Sequence, residues 1–140
     1  MSAVAATSSP KPISFRKREF KVDYNRAEKQ LKGQVWYIRG FHNGFIQMDD
    51  VRMNQSVHIS ECLNTKIVIN NKVNNVTINR CTGTQVELVS VISSLEIVNG
   101  NNLRVSANGT IPCVQIDLTQ NLELSLKSWN TADTKLVNAR

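Results

Sequence analysis

The chain has 140 residues, 41% of them hydrophobic, and 17 Lys and Arg against 11 Asp and Glu give it a formal net charge of +6. That length suits one domain with a sizeable core, and no apolar run is long enough to cross a membrane as a helix. Three cysteines and two histidines without ligand spacing give no metal pattern, and no glycine-rich phosphate loop, paired carboxylate or Ser/His/Asp set is present, so neither metal, cofactor nor enzymatic activity is expected.

Residues 1–12, "MSAVAATSSPKP", are small and polar, lack the apolar block of a secretory signal, and read as a disordered tail on a chain kept in the cytosol. The domain is expected over residues 13–140, opening with a basic lead-in at 13–33. Residues 1–33 hold eight Lys or Arg against three acids, whereas the rest of the chain holds nine against eight, so nearly all the basicity sits at the front. The segment "FRKREFKVDYNRAEKQLKG" interleaves Phe15, Phe20, Val22, Tyr24 and Leu31 with its charges, which suggests a strip packed across the first repeat rather than a nucleic-acid arm. Its surplus charge would steer association with an acidic protein surface; no nucleic acid and no membrane insertion are expected.

After residue 33 the apolar pattern alternates with period two and never sustains helical spacing. "SVHISEC", "NVTINRC", "SLEIVNG" and "CVQID" repeat at an offset of nineteen residues, aligning Val57, Val76, Leu95 and Val114 and, one place on, His58, Thr77, Glu96 and Gln115. Each copy carries a second apolar pair: Ile67 and Ile69, Val86 and Leu88, Leu103 and Val105, Leu122 and Leu124. A unit this short cannot bury its own apolar face, so the copies must stack around a shared core. The fold class is therefore all-β, a parallel β-helix with about nineteen residues per coil, Val57 and its equivalents inside and His58 and its equivalents outside.

Corners between strands need left-handed backbone, which asparagine tolerates, and Asn64, Asn70, Asn71, Asn74, Asn99, Asn101, Asn102 and Asn108 are expected there. Three glycosylation sequons, beginning at Asn54, Asn75 and Asn108, are accounted for by the abundance of asparagine. Cys62 and Cys81 fall on equivalent slots of adjacent coils, close enough for a disulfide or half a metal site, and read as buried structural thiols. Arg104 points outward between Leu103 and Val105, with Glu87 expected beside it on one neighbouring coil and Glu123 on the other, a charge ladder that fixes stacking register. The competing reading of Arg104 is an arginine finger acting on a nucleotide. "LEIVNGNNLRV" mimics a leucine-rich repeat locally, but the other copies leave no room for the connecting helix.

In their order along the chain, "GQVWYI" with Trp36, "SVHISEC", "NKVNNVTINRC" and "SSLEIVNGNNLRVSANGTIPCVQID" resemble successive coils of the carboxy-terminal domain of the cyclase-associated protein family, over about Pro12 to Val137. The resemblance implies a right-handed parallel β-helix that binds monomeric actin, prefers its ADP form and assists its recycling from cofilin. In the family an exchanged hairpin beyond the position of Val137 makes a dimer; here a homodimer is expected in which the open last coils cover one another. Larger family members add an oligomerising domain, proline-rich linkers and a short actin-binding helix before the β-helix, and further strands and a tail after the position of Val137; this chain reads as the actin-binding module alone, ending at Arg140. Where the family has a glycine before Lys72, this chain has Asn71. The related domain of tubulin-folding cofactor C, with its functional arginine, is the rival; its glutamine-leucine-arginine signature is unmet because Asn102 precedes Leu103 and Arg104. From outward orientation and charge, the expected actin contacts are His58, Lys66, Lys72, Thr77, Arg80 and Arg104. A circular dichroism spectrum of the purified chain should be dominated by strand; one dominated by helix would overturn the fold.

Overall fold

The computed structural model describes residues 27–127, together with the backbone of 135–137. Among them are twelve strands and no helix: β1 (Glu28–Lys32), β2 (Val35–Arg39), β3 (Phe45–Met48), β4 (Ser56–Ser60), β5 (Lys66–Ile69), β6 (Val73–Asn79), β7 (Gln85–Leu88), β8 (Val91–Val98), β9 (Asn101–Ala107), β10 (Cys113–Asp117), β11 (Gln120–Leu126) and β12 (Lys135–Val137). They form a seven-stranded sheet in the order β12-β10-β8-β6-β4-β2-β1 and a five-stranded sheet in the order β11-β9-β7-β5-β3. Only β1 and β2 pair antiparallel, around a turn at Gly33 with φ 63°. Every other pairing is parallel, so the chain climbs one strand in each sheet per coil, the parallel β-helix that the repeat requires.

Register confirms the nineteen-residue step. Val57 lies beside Val76, Val76 beside Leu95, and Leu95 beside Val114. The isoleucines Ile59, Ile78, Ile97 and Ile116 form a parallel inward column, and all are buried. The first coil is longer, because Trp36 pairs with Val57 at a step of 21 residues, matching the bridge from His42 to Leu63. The extra residues fall in the loop 49–55 after β3. There the buried Gln55 accepts from the Trp36 indole at 3.0 Å and from the Arg52 backbone N–H at 2.9 Å, tying the loop to the core's first layer.

Two columns of left-handed residues turn each coil from the first sheet into the second. One contains Gly40, Glu61, Arg80, Asn99 and Leu118, the other Asn43, Asn64, Gly83, Asn102 and Asn121, with φ from 50° to 75° throughout. Of the asparagines expected at left-handed corners, Asn64, Asn99 and Asn102 stand there and the other five do not. Asn74 and Asn101 lie inside strands, and Asn71 instead donates its side-chain amide to the carbonyls of Asp49 at 2.7 Å and Val51 at 3.2 Å. The corner is defined by its place in the coil, so Glu61, Arg80 and Leu118 adopt it despite the steric cost to residues of their type.

Between the corners the interior changes composition while conserving volume. Cys62 and Cys81 are buried next to Thr65 and Thr84, whose hydroxyls donate to the carbonyls of Leu63 at 2.9 Å and Thr82 at 3.0 Å. In the next coil the pair becomes Gly100 and Leu103, and a side chain begun at Gly100 would stand 2.4 Å from Leu103 Cδ1. Larger residue and smaller residue trade places, so the core stays filled.

Of the lead-in, Phe15, Phe20, Val22 and Tyr24 lie outside the described residues, as do residues 1–12. Its described end supplies β1, where Lys29 and Lys32 stand over the rings of Trp36 and Tyr37 at 5.8 and 5.6 Å.

Two substitutions test these forces. Ile78→Ala, at the wholly buried centre of its column, is expected to cost about 2–5 kcal/mol in denaturant unfolding. Leu118 carries the left-handed strain while 60% exposed, without glycine's freedom or asparagine's local hydrogen bonding. Leu118→Asn is therefore expected to raise stability by about 0.5–1 kcal/mol, read as a higher melting temperature.

Candidate protein-interaction site

Each sheet turns one side chain in two outward, and these outward columns are the surface available to a partner. On the first sheet one column runs Tyr37, His58, Thr77, Glu96 and Gln115, and beside it stand Ser56, Asn75 and Ser94. This face is flat, polar and half-buried by its own neighbours. Tyr37 and His58 meet ring to ring at 5.7 Å, Ser56 donates to the Asn75 carbonyl oxygen, and Ser94 lies 3.5 Å from the Glu96 carboxylate. At its edge Arg39 pairs with Glu61 at 2.9 Å, which orients the corner of the second coil.

On the second sheet the main outward column is Phe45, Lys66, Gln85, Arg104 and Glu123, with Gln47, Val68 and Glu87 in the next. Arg104 stands beside Glu123 as expected, with Nε 3.3 Å from Oε1, but its other neighbour is Gln85. The expected ladder through Glu87 is corrected: Glu87 lies beside Ser106 and takes its ion pair from Lys66 at 3.2 Å. The cause is the length of β9. Its inward residues are Leu103, Val105 and Ala107, and it is Val105 and Ala107, not Leu103 and Val105, that continue the columns of Val86 and Leu88. A two-residue slip leaves every side chain on its own face, so alternation alone does not choose between these registers.

The six expected contact residues do not converge on one site. His58 and Thr77 are adjacent rungs on the first sheet, and Lys66 and Arg104 share the outward column of the second sheet with Gln85 between them. Arg80 stands on the corner between the sheets with φ 57°, and Lys72 lies in the loop between β5 and β6 on the far side of the coil.

What the sequence reading missed is a cleft where the second left-handed column meets the second sheet. It encloses about 370 Å³ and is lined by Gly83, Thr84, Gln85, Asn102, Leu103, Arg104, Asn121 and Glu123. Gly83 stands at the corner where Asn64, Asn102 and Asn121 occupy the equivalent places in other coils, and the Asn64 side chain fills the space over it. A side chain begun at Gly83 would meet Asn64 Oδ1 at 2.3 Å, so glycine there also lets Asn64 lie across the corner. The signal was in the sequence: stepping nineteen residues back and forward from Arg104 finds Gln85 and Glu123.

Cys62 and Cys81 are buried free thiols within hydrogen-bonding reach of each other. That contact, reinforced by burial, holds the Cys81 thiol well above its ordinary pKa, so it stays protonated and unreactive. Among the described residues no cluster of His, Cys, Asp or Glu could hold a metal ion, and no helix is long and apolar enough to cross a membrane.

Residues 25–140 match the family model described as adenylate cyclase associated (CAP) C terminal. Human adenylyl cyclase-associated protein 1 is 28% identical over 95% of this chain, which spans 29% of that protein's length. The Dictyostelium discoideum adenylyl cyclase-associated protein is 31% identical over 79% of the chain and 24% of its own length. An Arabidopsis thaliana cyclase-associated protein 1 is 37% identical over 61% of the chain and 18% of its own. The crystal structure of cyclase-associated protein from Cryptosporidium parvum superposes with a TM-score of 0.79 at 19% identity, covering 87% of this chain and 77% of that one, and so shares the fold. With its repeat, its parallel β-helix and a family match over nearly the whole chain, this protein belongs to the adenylate cyclase-associated protein family through that family's carboxy-terminal domain.

Proposed function

We propose that the chain is an interaction module that binds monomeric actin, favours its ADP-bound form and promotes nucleotide exchange, so returning actin from cofilin to the polymerisable pool. The observation that carries this reading is the family match over residues 25–140. The form of the molecule supports it: a rigid stack presents broad polar strand faces whose side chains are held in fixed columns, as a protein-binding surface requires. The module acts by binding rather than by catalysis, in the cytoplasm and on the cytoskeleton, and as a homodimer. The net charge of +6 favours encounter with an acidic partner surface.

A second reading rests on Arg104, which reaches into a polar cleft and could serve as a GTPase-activating finger in the manner of tubulin-folding cofactor C. Its ion pair with Glu123 and the absence of the rival's signature place this behind actin binding.

Release of a fluorescent nucleotide from ADP-actin, followed with and without the chain, tests the first reading. Binding at micromolar concentration with a changed release rate is expected, and neither binding nor a changed rate would remove actin from the account. In the second reading Arg104→Ala would instead abolish stimulated GTP hydrolysis by a partner, a loss of about 10³-fold or more. Light scattering across a dilution series should show the dimer; a monodisperse monomer at every concentration would exclude it.

A further inference from the structure

We propose that the free edge of the five-stranded sheet is covered by this chain's own lead-in: residues 20–23, outside the described residues, add to β3 as an antiparallel strand, with Phe20 and Val22 turned toward the core and Arg16, Lys17 and Arg18 carried past Asp49 and Asp50. The contact is intramolecular and does not depend on actin.

β3 is the end strand of its sheet, and no described strand pairs with its far side. Its pairing with β5 fixes which backbone groups are left over. The Gly44 and Met48 carbonyls accept from Lys66 and Asn70 of the next coil at 3.0 Å each. Backbone groups alternate sides along a strand, so the N–H and C=O of Phe45 and Gln47 point the other way, out of the stack. Such an edge is a template for a further strand. The core beside it is closed all the same: the inward residues of β3, Ile46 and Met48, are 7% and 0% exposed, whereas Leu122 and Leu124 on β11, the strand at the opposite end of the sheet, are only partly buried. β1 belongs to the other sheet and leaves its own Leu31 40% exposed.

Connectivity and pattern select the lead-in as the cover. β1 runs antiparallel to β2 with Glu28 beside Arg39, so the chain before Glu28 begins at the corner through which β2 leads into β3. Residues 24–27 pass under that corner, four where the coil itself uses the five residues 40–44, and Asp23 comes to lie opposite Phe45. Followed backwards, the chain then runs along the free edge of β3 in the antiparallel sense. The stretch "FKVD" alternates apolar and charged side chains with the period of a strand. Asp23 and Lys21 exchange backbone bonds with Phe45 and Gln47, and Val22 and Phe20 turn inward opposite Ile46 and Met48. A slip of one residue would turn Lys21 and Asp23 to the core instead, so the pattern sets the register.

Charge agrees with the direction. Asp49 and Asp50 follow β3 directly, and among the described residues no cation pairs with either, the Asp49 carboxylate receiving only the side-chain amides of Gln47 and Asn70. Continuing back from Phe20, the antiparallel path brings Glu19, Arg18, Lys17 and Arg16 past this pair, three cations and one acid against two acids. Exposed pairs of this kind add little stability, so the charges favour the direction while burial of Phe20 and Val22 holds the strand in place.

Amide hydrogen exchange of the isotope-labelled 140-residue chain, read residue by residue by NMR, tests the cover. The Phe45 and Gln47 amides are expected to exchange at least about 100-fold more slowly than unpaired amides. In the same sample the Val22 methyl protons should show cross-relaxation to those of Ile46. Lys21→Pro, which removes a donor from the added strand, and Val22→Asp, which sets a charge against the core, should each return Phe45 and Gln47 to fast exchange. The Ile46 and Met48 amides, which face β5, and those of β6 and β8 should keep their protection, showing that the coils remain folded. Fast exchange at Phe45 and Gln47 in the unaltered chain, or no contact between Val22 and Ile46, would overturn the cover. So would protection that survives both substitutions, or protection that fades on dilution, the mark of a second copy at the edge.

Discussion

The structure depends on every coil turning at the same two places. The left-handed residues at those places aim backbone groups along the stack, so that Asn64 donates to the Thr82 carbonyl at 3.0 Å, Gly83 to Asn101 at 3.0 Å, Arg80 to Val98 at 3.1 Å and Asn99 to Asp117 at 3.1 Å. Missing one turn would shift all later strands out of register and leave buried peptide groups without partners, at a cost larger than the strain of one left-handed residue. For that reason even Glu61, Arg80 and Leu118 are drawn into a conformation their side chains resist. The inward columns then follow, because equal steps place valine on valine and isoleucine on isoleucine.

The fold was legible because its signal is repeated. Alternation at Val57 to Ile59 is ambiguous alone, but the same three places at Val76 to Ile78 and Leu95 to Ile97 admit only stacked strands. Two things were hidden for physical reasons. The corners looked like an asparagine property, whereas they are set by position, so Glu61 and Leu118 were invisible and Asn71 misleading. The register of the second sheet was misjudged at Leu103, since a shift of two residues keeps the same face inward and apolar pattern alone cannot see it. The constant nineteen-residue step does see it, since it takes Val105 to Val86 and Arg104 to Gln85 rather than Glu87, as the strand pairing has them.

The candidate site was harder to read because its residues come from three successive coils and from both a corner and a sheet. Charge picked out Lys66 and Arg104, and outward orientation picked out His58 and Thr77, but neither criterion finds a cleft formed between neighbouring coils. The first sheet's face is flat and largely satisfied by its own hydrogen bonds and ring contact, whereas the second combines a concavity with exchangeable ion pairs. On physical grounds a partner that needs a specific anchor gains more from the second.

The most direct measurement is an amide chemical-shift map of the isotope-labelled chain during titration with monomeric ADP-actin. If the corner and the second sheet form the docking surface, the largest changes will cluster at 83–85, 102–104 and 121–123, which lie side by side only in the stacked coils. Changes confined to the outward face of the first sheet at 56–60, 75–79 and 94–98, or no changes at saturating actin, would contradict that account.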